Sequence, residues 1–149
     1  MKNRLNSIEE MEIFATSFVK ETTTQKNKSG ASVFGLKGDL GAGKTTFTKS
    51  VAKALGVEGA VTSPTFVIEK IYKLPKLPQS EKFTRLIHID AYRLEGGKDL
   101  LELGWKEIVD NPQNLILIEW PEIVADILPE DVKIIEFKFI DENTREIEY

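Results

Sequence analysis

The amino-acid sequence predicts an α/β fold, a three-layer sandwich in which a mixed, largely parallel central sheet lies between layers of helices. Short apolar runs, typical of buried strands, alternate with helical patterns through the middle of the chain. Two of these runs, at residues 85–90 and 115–119, end in a carboxylate. A chain of 149 residues has the usual length of one domain, so we expect residues 1–149 to form a single domain.

The first elements are predicted by capping residues and apolar spacing. Ser7 and Glu10 have the spacing of a capping box, and the apolar residues behind them predict a helix to about Thr22. The apolar run at residues 31–37 is too short for a helix and predicts a buried strand. After a glycine-rich turn, residues 44–55 again show helical spacing and are followed by a glycine, which favours the end of a helix.

The rest of the chain is predicted to contain strands, short helices and two proline-bearing loops. The loops, at residues 62–65 and 74–81, cannot continue a regular helix. The last two strands have a polar turn between them and predict a terminal hairpin. Strands are expected at residues 66–72, 85–90, 115–119, 132–140 and 144–149, and helical segments at residues 98–109 and 121–128.

Composition and charge argue against several classes of protein. The absence of cysteine excludes disulfides and cysteine-based zinc sites. The net charge of −4 argues against direct binding of nucleic acid, so a partner would have to hold any tRNA or DNA substrate. No run approaches the ~20 apolar residues of a membrane span, and the N-terminus has no apolar secretory core. We therefore expect a cytoplasmic protein without membrane contact.

The most specific motif is a glycine-rich loop between the first predicted strand and the second predicted helix. Its sequence, GDLGAGKT at residues 38–45, matches the P-loop pattern G-x-x-x-x-G-K-[ST]. In this pattern backbone N–H groups surround phosphate, the lysine reaches the β- and γ-phosphates, and the hydroxyl binds Mg²⁺. The sequence therefore predicts a P-loop NTPase that binds ATP and Mg²⁺. The predicted nucleotide-binding residues of the loop are Gly38, Gly41, Ala42, Gly43, Lys44, Thr45 and Thr46.

Such a site also requires a carboxylate at the end of a buried strand beside the loop. Glu119 directly follows four apolar residues, and Asp90 ends a similar run. Because Mg²⁺ prefers hard oxygen ligands, we predict Glu119 in the metal shell and Asp90 in the same site, as a metal ligand or a catalytic group. The alternative for each is a solvated strand end.

Five further residues each have two open interpretations. Ser63 and Thr65 lie where P-loop enzymes often keep a switch that senses the γ-phosphate, or they form a plain turn. Trp120, after the second strand-ending acid, either contacts nucleotide or packs in the core. His88, the only histidine, is either a packing residue or a catalytic one. Arg93 is either a candidate arginine finger or a partner of a surface acid.

Four sequence strings together resemble the TsaE (YjeE) family, bacterial ATPase subunits of the tRNA threonylcarbamoyladenosine system. They occur in the family's order, and the resemblance covers most of the chain from about residue 33 to residue 129. The first and third strings together are quite specific, whereas either alone is weaker. The strings are GDLGAGKTTF at residues 38–47, SPTF at 63–66, HIDAYR at 88–93 and IEW at 118–120.

The resemblance implies a domain that binds ATP and Mg²⁺ and hydrolyses ATP slowly by itself. It also implies docking on a complex of two partners, TsaB and TsaD, of which TsaD transfers the threonylcarbamoyl group to tRNA. ATP turnover would support repeated cycles, and tRNA would be reached only through the partners. The implied roles are phosphate binding by Lys44, Mg²⁺ binding by Thr45 and Glu119, orientation of water by Asp90, a switch at Ser63 and Thr65, and a place beside the site for Trp120.

Three other functions remain open on the residues alone. A P-loop small-molecule kinase would need an acceptor pocket and typically an arginine-rich lid, and no arginine-rich segment follows the loop. A GTPase would need an Asn/Thr-Lys-x-Asp loop for guanine, which the sequence lacks. A scaffold with a structural nucleotide would bind ATP without turnover.

Overall fold

The computed structural model describes residues 1–25, 29–59 and 68–149, which form seven strands and four α-helices. The strands are β1 (Lys2–Leu5), β2 (Ser32–Lys37), β3 (Glu69–Lys73), β4 (Arg85–Asp90), β5 (Asn114–Glu119), β6 (Lys133–Phe139) and β7 (Arg145–Glu148). The helices are α1 (Ile8–Thr24), α2 (Lys44–Ala54), α3 (Gly97–Glu102) and α4 (Trp105–Asp110). Two 3₁₀ helices cover Pro78–Ser80 and Pro121–Ile127.

The seven strands form one mixed sheet in the order β1-β7-β6-β2-β5-β4-β3. The four strands β6, β2, β5 and β4 are mutually parallel, whereas β3, β7 and β1 add antiparallel neighbours at the two sides. The predicted parallel centre is therefore confirmed. Because β2, β5 and β4 run in the same direction, their carboxyl ends meet at one edge of the sheet.

Side chains of the central strands alternate between two cores, one on each face of the sheet. On β5, Leu115 and Leu117 belong to the core under α1 and α2. Ile116 and Ile118 belong to the opposite core, with residues of α3, α4 and the second 3₁₀ helix. The predicted three-layer α/β arrangement is confirmed.

The first helix begins as the capping residues predict, although only half of the capping box forms. The Ser7 hydroxyl accepts from the Glu10 N–H at 3.1 Å. The Glu10 carboxylate instead accepts from the Asn6 N–H at 2.6 Å. In the described part of the chain, neither α1 nor any other helix is both long enough and apolar enough to cross a membrane.

Three boundaries differ from the sequence expectation. The strand β1 was not predicted, because its four residues become a strand only by pairing with β7. The helical segment expected at residues 98–109 divides into α3 and α4 at Gly104, whose φ of +86° a helix cannot contain. Of the strand expected at residues 66–72, the first two residues lie outside the described part of the chain.

Candidate functional site

The glycine loop (residues 38–43) connects the carboxyl end of β2 to the first turn of α2. Its glycines Gly38, Gly41 and Gly43 have φ values of +152°, +78° and +106°, a region that side-chain-bearing residues rarely adopt. Gly43 is the N-cap of α2 and offers no side-chain cap. The first N–H groups of α2 therefore have no partner within the helix and are available to an anion.

We expect Gly38→Ala to destabilise the fold more than Gly41→Ala. A Cβ at residue 38 would lie 2.5 Å from the backbone oxygen of Phe137, whereas a Cβ at residue 41 would meet no heavy atom within 4 Å. Both substitutions place a Cβ on a residue with positive φ and so add similar backbone strain. The difference in unfolding free energy between the two variants therefore isolates the clash with Phe137, at about 1–3 kcal/mol. Urea unfolding of the two variants measures this difference. Equal losses of unfolding free energy would show that β6 moves aside without cost.

Lys44, the first residue of α2, is 4% exposed and turns its ammonium group back over the loop. Its Nζ donates to the Gly38 carbonyl oxygen and lies 3.8 Å from the centroid of the Trp120 ring. Burial lowers the pKa of Lys44, and the nearby carboxylates, Glu119 first among them, oppose that shift. Among the described residues Lys44 has no ion-pair partner, so its charge can be used by an anionic ligand.

Glu119 ends β5 directly beside the glycine loop, because its strand pairs with β2 at Leu36 and with β4 at Asp90. The side chain is almost fully buried, with 4% of the residue exposed. The Thr45 hydroxyl lies 3.4 Å from each carboxylate oxygen. His88 Nε2 lies 2.6 Å from Oε2. The strand-ending acid, the hydroxyl of the glycine-loop motif and the lone histidine thus form one cluster.

Asp90 ends β4 one strand further from the loop and is half-buried. Its Oδ1 accepts from the Tyr92 N–H at 3.0 Å, which fixes the carboxylate at the start of the following turn. Burial raises the pKa of Asp90, and the charge of Glu119 adds to this, whereas the Tyr92 hydrogen bond opposes it. A carboxylate with a raised pKa is a better proton acceptor than an ordinary surface aspartate.

A cavity of about 460 Å³ opens above the glycine loop at this edge of the sheet. Its volume is within the usual range for small-molecule sites. It combines cations, carboxylates and aromatic rings, a set suited to a charged ligand with an aromatic or metal-bound part. The lining residues are Leu40, Gly41, Gly43, Lys44, Thr45, Thr46, Ile68, Asp90, Tyr92, Arg93, Glu119, Trp120 and Arg145.

Comparison with known proteins identifies the family. The family described as "Threonylcarbamoyl adenosine biosynthesis protein TsaE" matches residues 5–147. The chain belongs to the TsaE family. It is 36% identical over 142 residues to the Rickettsia prowazekii "tRNA threonylcarbamoyladenosine biosynthesis protein TsaE", covering 95% of this chain and 88% of the relative. The Bacillus subtilis protein of the same name is 38% identical over 134 residues, 90% of this chain and 78% of the relative.

A solved structure supports the same assignment. The crystal structure of Bacillus subtilis YdiB matches with a TM-score of 0.72 at 31% sequence identity, covering 99% of this chain and 82% of that one. The agreement over nearly the whole chain includes the terminal strands, whose sequence carries no family motif. The TsaE fold therefore extends over this chain from β1 to β7.

The structure of this TsaE-family chain brings most of the predicted site residues to one cavity. Two predicted loop residues do not line it: Gly38 supplies the carbonyl that holds the lysine, and Ala42 is buried beneath the loop. Ser63 and Thr65 lie outside the described residues, so their switch role stays a prediction. The predicted residues that line the cavity are Gly41, Gly43, Lys44, Thr45, Thr46, Asp90, Glu119 and Trp120.

Arg145 is a cavity residue that the sequence alone did not indicate in this TsaE-family chain. It begins β7, packs over the Phe139 ring at 4.6 Å, and donates through Nη1 to the Thr144 and Asp141 carbonyl oxygens. It reaches the glycine loop because the terminal hairpin folds back beside β2. No local pattern marks it, since a hairpin arginine is usually a solvated side chain. Arg93, named from the sequence, also lines the cavity.

The oxygen atoms of Thr45 and Glu119 are suited to bind Mg²⁺ together with phosphate. Thr45 and Glu119 provide hard oxygen atoms next to each other, which Mg²⁺ prefers. Among the described residues no group of three histidines or carboxylates converges as a self-sufficient metal centre. Mg²⁺ usually takes only one or two protein ligands and completes its shell with water and phosphate oxygens. The residues present are therefore compatible with a metal that arrives with a nucleotide.

Proposed function

We propose that this chain is the ATPase subunit of the tRNA threonylcarbamoyladenosine modification system, which binds ATP with Mg²⁺ and hydrolyses it slowly. The family and its relatives are named for the biosynthesis of this tRNA modification. The ATPase part of the proposal depends on one observation. A lysine and a threonine at the start of α2 and two carboxylates at the ends of β4 and β5 converge on the cavity of the glycine loop.

The loop and the start of α2 would bind the phosphates. The backbone N–H groups after Gly43 have no helical partner, and the positive end of the helix favours an anion. The Lys44 ammonium would exchange its contacts with a carbonyl and an aromatic ring for oxygens of the β- and γ-phosphates. A phosphate oxygen carries negative charge, whereas the carbonyl and the ring are neutral, so the Coulomb attraction of the ammonium group for the phosphate would favour this exchange.

The two strand-ending carboxylates would have different roles. Thr45 and Glu119 would hold Mg²⁺, which when bound offsets the charge of the β- and γ-phosphate oxygens. Asp90, held by the Tyr92 N–H, would orient a water molecule for attack on the γ-phosphorus and accept the proton that this water loses. The new bond joins the water oxygen to phosphorus, and the bond to the β–γ bridging oxygen breaks. The products are ADP and inorganic phosphate.

We propose slow turnover by the isolated chain and faster turnover in a complex with TsaB-like and TsaD-like partners. An arginine finger can contribute about 10³–10⁵ in rate. Arg93 and Arg145 line the cavity, and a partner could bring either one onto the phosphates. The net charge of −4 supports contact with tRNA only through the partners. The proposed ATP turnover then supports repeated cycles of threonylcarbamoyl transfer.

The proposal is tested by phosphate release from ATP with Mg²⁺, by the chain alone and with the two partners. We expect slow release without any acceptor and faster release in the complex. Glu119→Gln should lower Mg²⁺-dependent release by more than the 10–100-fold typical of an outer-shell partner, while metal-free nucleotide binding is retained. Glu122→Gln, the same change at an exposed acid near Lys44, is the control.

Three results would overturn the proposal. No ATP binding would remove the nucleotide site altogether. Binding without phosphate release, alone or in the complex, would favour a structural nucleotide. Phosphate transfer only to an added metabolite would favour a small-molecule kinase.

A further inference from the structure

His88 lies beneath the carboxylate cluster on β4, two residues before Asp90 and therefore on the same face of the strand. It pairs across the sheet with Leu117, while Asp90 pairs with Glu119. Its side chain is fully buried among apolar residues of the core under α1 and α2. Among the described residues, the hydrogen-bond partner of its ring is Glu119, two residue pairs closer to the cavity.

The contact between His88 and Glu119 uses one atom from each side chain. Nε2 lies 2.6 Å from Oε2, a short hydrogen-bond distance. An ionised carboxylate only accepts hydrogen bonds, so the proton must be on Nε2. Nδ1 is buried and has no hydrogen-bond partner among the described residues. His88 therefore donates from Nε2 to the Glu119 carboxylate, and its side chain makes no other hydrogen bond with the described residues.

This arrangement is hard to explain by packing alone. A leucine at residue 88 would match its apolar neighbours and would avoid burying an unpartnered ring nitrogen. The histidine provides a hydrogen-bond donor, fixed by burial, to the Glu119 carboxylate, which is itself almost fully buried. With Oε2 held by Nε2–H, the carboxylate cannot rotate freely about its own axis, and its orientation toward the Thr45 hydroxyl is set.

We propose that His88 is a positioning residue that fixes the Glu119 carboxylate for the metal shell formed with Thr45. The inference rests on the proposed function, since it assumes that Mg²⁺ binds with nucleotide at these two side chains. Side chains that hydrogen-bond to a metal-binding residue in this way typically change metal affinity by about 10–100-fold. His88 would therefore affect the affinity for Mg²⁺ and leave the affinity for metal-free nucleotide unchanged.

Two amide substitutions of His88 test whether a donor at the position of Nε2 is needed, or whether any polar side chain at this residue is enough. The amide nitrogen of His88→Gln is as many bonds from Cβ as Nε2, so it can still reach Oε2. The amide nitrogen of His88→Asn corresponds to Nδ1 and falls short. Calorimetry with ADP, in Mg²⁺ and in EDTA, gives the factor by which Mg²⁺ tightens binding. We expect this factor to agree within about threefold between wild type and the Gln variant. In the Asn variant it should be about 10–100-fold smaller.

The EDTA arm and urea unfolding serve as controls, because a merely structural defect would lower both affinities and the unfolding free energy together. Equal factors in all three proteins would overturn the inference while leaving the proposed function intact. Equal losses in the Gln and Asn variants would also overturn it, since a donor at Nε2 would then be irrelevant. Wild type that binds no ADP in either buffer would remove the proposed function, and the inference with it.

A measurement on the unaltered protein covers the case in which a variant does not fold. The chain has one histidine, so its imidazole gives a single set of ¹⁵N resonances. We expect the tautomer with the proton on Nε2, and a shift of these resonances when Mg²⁺ is added to the ADP complex. A ring with an unprotonated Nε2 could not donate to Glu119, and this result would overturn the inference.

Discussion

Lys44→Ala is expected to abolish measurable ATP binding, with a loss of affinity on the order of 100-fold or more. The Gly38 carbonyl oxygen and the Trp120 ring already hold the Lys44 ammonium group in place at the glycine loop. A hydrogen bond to a charged group contributes about 1.5–3 kcal/mol, and the triphosphate would also lose its nearest positive charge. Calorimetric titration with ATP measures the loss.

Lys53→Ala is the matched control, because Lys53 lies in the last turn of the same helix, where it pairs with Glu12 at the surface. We expect that variant to bind ATP as the wild type does. Circular dichroism should show the same helix content in both variants. An unchanged ATP affinity in Lys44→Ala would disprove the phosphate assignment, and with it the proposed ATPase.

Asp90→Asn is expected to bind ATP with Mg²⁺ but to lose about 10²–10⁴ in the rate of hydrolysis, the usual contribution of a positioned proton acceptor. Asparagine keeps the size of the side chain and can still accept from the Tyr92 N–H. It cannot accept a proton from water. Single-turnover hydrolysis of ATP, with the enzyme in excess, measures this step separately from product release.

Asp131→Asn provides the comparison, since Asp131 is exposed and does not line the cavity. Its rate should stay close to that of the wild type. A near-normal rate in Asp90→Asn would exclude the residue from the chemical step. A parallel loss of nucleotide affinity would instead assign Asp90 to binding.

The parts of the fold that could be predicted are those whose signal is local. A strand, a glycine-rich turn and a helix follow one another at residues 31–55, and each has its own pattern. The acids at residues 90 and 119 could be placed together, because both end apolar runs and parallel strands finish at one edge. The register Asp90 to Glu119 confirms that proximity, although the roles of the two residues stay predictions.

The parts that could not be predicted depend on contacts between distant segments. β1 exists only because Lys2–Leu5 pairs with β7 at the other end of the chain, and four polar-rich residues show no strand pattern by themselves. Arg145 reaches the cavity for the same reason. The contact of His88 with Glu119 depends on the register of two strands, so the sequence left both interpretations of the histidine open. The break at Gly104 was missed because one glycine within a helical pattern is often tolerated.

The Trp120 ring and the Gly38 carbonyl immobilise the Lys44 side chain in the ligand-free protein. A lysine side chain loses up to about 2 kcal/mol of rotamer freedom when it is fixed, and here that loss occurs when the chain folds. The proposed triphosphate would consequently meet a pre-organised cation and would have little disorder to remove. The same feature lowers the stability of the fold, because the buried Lys44 at the start of α2 has no ion-pair partner among the described residues. The proposed strength of the anion site and this cost to the stability of the fold would have one origin.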